Sequence, residues 1–63
     1  MDWQKIRHKP GDLAAWESHD EKWRIIKDRY GFAVQKRVDR HTLRLAQCAL
    51  RDFPAAVDWI KNH

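Results

Sequence analysis

FAVQKRVDRHTLRLAQCALRD, residues 32–52, is the stretch whose reading decides the fold. Val34, Val38, Leu45, Ala49 and, just past its end, Phe53 fall on one line of a helix, with Leu43, Ala46 and Leu50 on the next. Together they cover about half of a helical wheel, wide enough to touch two neighbours, so this stretch is expected to be the central core helix. Before it, Gly31 is a C-terminal stop for a long helix over residues 12–30, capped at its start by the Asp12 carboxylate. Trp16, Trp23, Ile26 and Tyr30 recur there at helical spacing with His19 on the same arc, and Glu17, Glu21, Arg24 and Asp28 occupy the opposite arc. Further out, Lys9-Pro10-Gly11 ends a short helix over residues 2–9 that carries Trp3 and Ile6 on one face. Pro54 opens a closing helix over residues 54–61 that docks Val57, Trp59 and Ile60. No alternating strand pattern competes. The expected fold is all-α: a small helical bundle of two long antiparallel helices plus short N- and C-terminal helices, one domain over residues 1–63.

With 63 residues the chain is near the lower limit for a domain resting on its own core. Cys48 is the single cysteine, which excludes an internal disulfide, and the four histidines have no zinc-ligand spacing. The core must be held by aromatics or by a second subunit. Trp3, Trp16, Trp23 and Trp59, with Tyr30, Phe32 and Phe53, are many large rings for this length, each able to bury roughly 150–250 Å². They fill either the interior or a subunit interface, so a homodimer through a tryptophan-rich face stands beside a monomer. No apolar run reaches the length of a membrane span and no signal-peptide core follows Met1, so a cytoplasmic protein without membrane contact is expected. The formal net charge of +4 favours polyanions.

On the expected central helix, Lys36, Arg37, Arg40, Arg44, Gln47 and Arg51 project within about 100° of one another. Such a ridge suits the phosphates of DNA or RNA, and Lys36, Arg37, Arg40, Arg44 and Arg51 are the candidate nucleic-acid-binding residues. A plainer reading pairs those arginines with Glu17, Glu21 and Asp28 as surface salt bridges, each worth about 0–1 kcal/mol. Asp39 and Asp52 sit off the ridge, which leaves its field largely uncancelled. The expected function is therefore that of a small, non-enzymatic regulatory protein associated with nucleic acid. The alternative is a protein-interaction module, adaptor or inhibitor, that anchors Trp3, Trp16, Trp23 or Trp59 in a partner and sets its arginines against an acidic surface. An enzyme is not expected. His41 and Cys48 would stand about 10 Å apart along a helix, too far for a nucleophile and its base. His8, His19 and His63 form no ligand set, and no glycine-rich phosphate loop exists, so neither metal nor cofactor is expected.

Two partial resemblances add to this. Tyr30-Gly31-Phe32, between apolar neighbours, resembles the turn of a helix-turn-helix, and would offer Gln35, Lys36, Arg37, Arg40 and His41 to a groove. Lys27 and Arg37 depart from that pattern, which prefers a small residue at the first and a buried aliphatic at the second. Residues 39–50 followed by Asp52-Phe53-Pro54-Ala55-Ala56-Val57 resemble the C-terminal half of the small Hha-type nucleoid modulators. That resemblance implies a helical adaptor of DNA-organising proteins, and does not extend to the first half of the chain.

Overall fold

The structure, a computed structural model, describes residues 2–63. It contains five strands, β1 Trp3–Ile6, β2 Ala14–Ser18, β3 Trp23–Asp28, β4 Gly31–Arg37 and β5 Leu43–Leu50, followed by one helix, α1 Phe53–Lys61. The strands form one sheet in sequence order, each antiparallel to the next. The expectation of an all-α helical bundle is overturned. Residues 2–9, 12–30 and 32–52 hold strands and turns, and among the described residues only the C-terminal segment is helical. None of this is long and apolar enough to cross a membrane as a helix.

Local chemistry explains where the helical reading breaks. In residues 12–30, Ser18 and Asp20 divert the backbone. The Ser18 hydroxyl accepts the Trp23 N–H at 3.0 Å and donates to Asp20 Oδ1 at 2.6 Å, and Asp20 Oδ1 accepts the Lys22 N–H at 3.1 Å. Those bonds close a turn that a continuous helix would have to break. The expected helix-turn-helix turn at Tyr30-Gly31-Phe32 is part of a β-hairpin, in which Asp28 pairs with Gly31 and Asp28 Oδ1 accepts the Tyr30 N–H at 2.8 Å. In residues 32–52 the break is at 38–42, where Val38 N–H donates to Thr42 C=O at 2.9 Å. The β-branched and aromatic residues Trp23, Ile25, Ile26, Phe32 and Val34 then favour a pleated, half-buried surface.

The pattern in β5 has a more specific cause. Phe32 pairs with Leu50, Val34 with Gln47 and Gln35 with Leu45, so two bulges insert extra residues on β5. One of them contains Ala49 in the left-handed region at φ 58. Each bulge shifts the alternation of side chains by one place. The least exposed positions of β5 are Leu43, which faces the groove opposite Arg37, and Ala46 and Leu50, which pack against the core, at steps of three and four. That spacing is what a helix would give.

The sheet has one covered and one open face. Trp16, Ile25 and Val34 lie opposite one another on successive strands and point towards α1. Ile25, Val34 and Ala56 have no exposed surface and Ile60 is also buried; burying a side chain such as Ile25 contributes roughly 1.5–3 kcal/mol. Aromatic rings seal both ends of this core. Phe53 meets Trp3 and Trp16 edge-on, at ring centroid distances of 5.9 and 5.0 Å, with Phe32 stacked behind Trp16 at 6.0 Å. At the other end Trp59 meets Trp23 at 6.2 Å and stacks on His63 at 3.9 Å. The helix begins where Asp52 Oδ1 accepts the Ala55 N–H at 2.8 Å, with Pro54 in its first turn where no N–H is needed.

Gly31 tests this arrangement. Its φ is +130° and a Cβ there would lie 2.7 Å from the Leu50 carbonyl oxygen. Gly31→Ala is expected to lower stability in a denaturant titration by about 1–3 kcal/mol from backbone strain, with the clash added. At Gly11, where φ is +97° and nothing stands within 4 Å, Ala should cost less. Equal losses at both glycines would contradict the close approach of β5 to β4.

Candidate functional site

The open face of the sheet is built from two rows of opposed residues. One row runs Glu17, Arg24, Gln35, Leu45 across β2 to β5, and the other runs Ile6, Ala15, Ile26, Ala33 across β1 to β4. The alanines leave a shallow floor, and the connections at 7–12 and 38–42 rise at its corners. The result is a groove of about 750 Å³ lined by Arg7, Lys9, Arg24, Arg37 and Arg40, with His8 and His41 among them. Against these five cations stand Asp12, Asp28 and the nearly buried Glu17.

Glu17 organises the centre. Its Oε2 accepts from Arg24 Nη2 at 2.8 Å and from Arg37 Nη2 at 3.4 Å, so one carboxylate holds two guanidinia from neighbouring strands. Arg37 is further fixed by donating Nε to the Glu21 carbonyl at 2.7 Å and Nη1 to the Arg40 carbonyl at 3.0 Å. The second bond fastens the turn that presents Arg40 and His41. Asp39 shapes the same turn: its Oδ1 accepts the His41 N–H at 2.9 Å. That bond chiefly, then the Thr42 hydroxyl, holds the Asp39 carboxyl below the ordinary carboxylate range, and the Arg37 charge acts in the same direction. Arg7, Lys9 and Arg40 have no ion-pair partner among the described residues.

The continuous ridge expected on a helix does not form, because its residues lie on strands and turns. Arg37 and Arg40 come together at one corner of the groove. Lys36 and Arg44 pair across β4 and β5 on the covered face, where Lys36 Nζ lies 5.4 Å from the Trp23 ring centroid. Arg51 sits between β5 and α1, its side chain 90% exposed and 3.5 Å from Asp52. Trp3, Trp16, Trp23 and Trp59 all pack against the core under or on α1, each half-buried. His41 and Cys48 both border the groove, but Cys48 lies five residues beyond Leu43 along β5, roughly 15 Å at strand rise. Strand length, not helix rise, separates them. No metal-ligating cluster is found among the described residues.

Arg7, Lys9 and Arg24 were not among the candidates from sequence. Arg7-His8-Lys9 is a visible basic run before Pro10-Gly11, but helical reading confined it to a terminal helix. On a helix Arg24 is one member of an outer charged arc; its pairing with Glu17 depends on strand register.

Two measurements probe this geometry. Glu17→Gln is expected to cost about 1–3 kcal/mol in a denaturant titration, below the 3–5 of a fully buried pair, because the two guanidinium side chains keep 24% and 25% of their surface exposed. No change would mean that the carboxylate does not hold the two arginines. The depressed Asp39 pKa makes its support of the 38–42 turn complete at neutral pH and lost as pH falls through the folded value. The amide resonances of His41 and Thr42 are therefore expected to titrate with a midpoint below that of a free aspartate; a midpoint at or above it would remove the turn's carboxylate anchor.

Comparison with known protein families, with curated proteins and with solved structures finds no match to this chain. Function is argued from the site itself.

Proposed function

We propose that this is a non-enzymatic nucleic-acid-associated protein that binds the phosphates of DNA or RNA on the open face of its sheet. The observation that carries the reading is the gathering of Arg7, Lys9, Arg24, Arg37 and Arg40 around one groove, with three of them free of ion pairs among the described residues. Arginine and lysine at a groove rim neutralise phosphates and release counterions, which provides affinity without base contacts. Arg24 and Arg37 are held in fixed orientation by Glu17, so less side-chain freedom is lost when an anion arrives. Arg40, Arg37 and the groove thus carry forward part of the basic surface expected from sequence. Lys36, Arg44 and Arg51 lie outside it.

A second reading, an interaction module for an acidic protein, is favoured by one observation. Val38 and Leu45 are 57% and 56% exposed beside the free edge of β5. An edge strand with exposed apolar side chains can accept an added strand from a partner.

Binding of a labelled DNA duplex over a salt series separates the two. Arg7→Glu with Arg40→Glu is expected to weaken binding at least about tenfold and to make the slope of log affinity against log salt shallower by roughly 2. Arg44→Glu with Arg51→Glu should change affinity less. Equal losses from both pairs, or no binding by the unaltered protein, would overturn the groove as a phosphate site. An acidic protein retained by the arginine-reversed variant but released by Val38→Ser with Leu45→Ser would belong to the second reading.

A further inference from the structure

We infer, on the phosphate-binding reading just given, that the open face takes a duplex in preference to a single strand and reads its shape more than its sequence. Proteins that hold single strands stack successive bases on aromatic side chains. The rows of the open face carry no tryptophan, tyrosine or phenylalanine: they are Glu17, Arg24, Gln35, Leu45 and Ile6, Ala15, Ile26, Ala33, and the imidazoles of His8 and His41 stand apart in the connections at 7–12 and 38–42. Every tryptophan and phenylalanine packs on the covered side. Tyr30, the remaining aromatic, stands at the tip of the β3–β4 hairpin with the Arg29 guanidinium 5.3 Å from its ring centroid, which makes one isolated ring and no platform.

The distribution of charge points the same way. Arg7 and Lys9 follow β1 at one edge of the sheet, whereas Arg40 lies in the turn before β5 at the other edge and the other end. Five strands at about 4.8 Å spacing separate these edges by about 19 Å, on a molecule 27 × 26 Å across its two longer dimensions. A single strand tracks one line over a surface. A duplex carries one phosphate charge per roughly 1.7 Å of its axis on two strands, so cations at opposed corners can meet both strands together. Between them, small Ala15 and Ala33 keep the floor low for a convex rod. Gln35 is the central side chain there with both a donor and an acceptor, and Arg24 is tied to Glu17. On the floor base reading is confined to these two positions, with His8, His41 and Thr42 only in the flanking connections, so sequence preference is weak.

The test uses fluorescence anisotropy of the full chain with duplex DNA, duplex RNA and single-stranded DNA of matched sequence and length, across a salt series. One duplex or the other should bind at least about tenfold more tightly than the single strand, with a salt slope near about −3 for the three unpaired cations Arg7, Lys9 and Arg40. A duplex of shuffled sequence should bind within about threefold of the first. Single-stranded DNA binding as tightly as the better-bound duplex, or a loss of binding on Tyr30→Ala, would overturn the duplex inference and leave the phosphate-binding reading in place. Strong preference for one duplex sequence would overturn the shape reading. Absence of binding to all three would remove the phosphate-binding reading itself.

Discussion

Docking of α1 against Ile25 and Val34 is the interaction on which the rest of the molecule depends. A five-stranded meander with no second layer would expose both faces, and a chain this short has little else with which to exclude water. Ala56 and Ile60 fill the centre of the covered face, and the Phe53 and Trp59 contacts close its two ends. Removing the helix would expose the strand residues Trp3, Trp16, Trp23 and Phe32. The helix in turn depends on Asp52, whose carboxylate captures a free N–H just where β5 ends.

This division of labour makes the two faces chemically different. Because the tryptophans and phenylalanines are drawn to the helix side, the other side is left with alanines, a few aliphatics such as Ile26 and Leu45, a glutamine and guanidinium groups. The alternation of a strand does this automatically: Ile25 points to the core, so Arg24 and Ile26 point away from it. Glu17 then performs for the open face what Ile25 does for the covered one, by joining groups from separate strands. It is nearly buried, and would be a costly charge were it not answered by two arginines. Structure and site therefore share the same residues, and the arginines that line the groove also help to hold β2, β3 and β4 together.

The helical reading of residues 32–52 rests on Val34, Val38, Leu45, Ala49 and Phe53 on one line, of which Val38 and Leu45 are exposed, and on Leu43, Ala46 and Leu50 on the next, whose spacing is real. That spacing joins Leu43, on the groove face, to Ala46 and Leu50, which two bulges bring onto the core face, and a count along one strand cannot distinguish such a bulged strand from a helix. The same ambiguity governed the basic residues. At helical spacing Lys36, Arg37, Arg40, Arg44 and Arg51 make one stripe. On strands, the adjacent Lys36 and Arg37 point to opposite faces, and the turn at 38–42 carries Arg40 away from Arg44. Arg37 and Arg40 are legible as candidates in the sequence, whereas Arg7, Lys9 and Arg24 join the candidate groove only through pairing between strands.

By itself the sequence determined features whose physics is complete within a few residues. The C-terminal helix follows from Pro54 together with Val57, Trp59 and Ile60 after it. The breaks at Pro10-Gly11 and Gly31, the excess of positive charge and the lack of an internal disulfide are likewise local or compositional. Tertiary structure alone decided that residues 3–50 are a sheet, which arginines share a face and where the open groove lies. A strand has no hydrogen bonds of its own: its partners, its register and its bulges are set by chain segments elsewhere in the molecule, and so is the direction in which each of its side chains points.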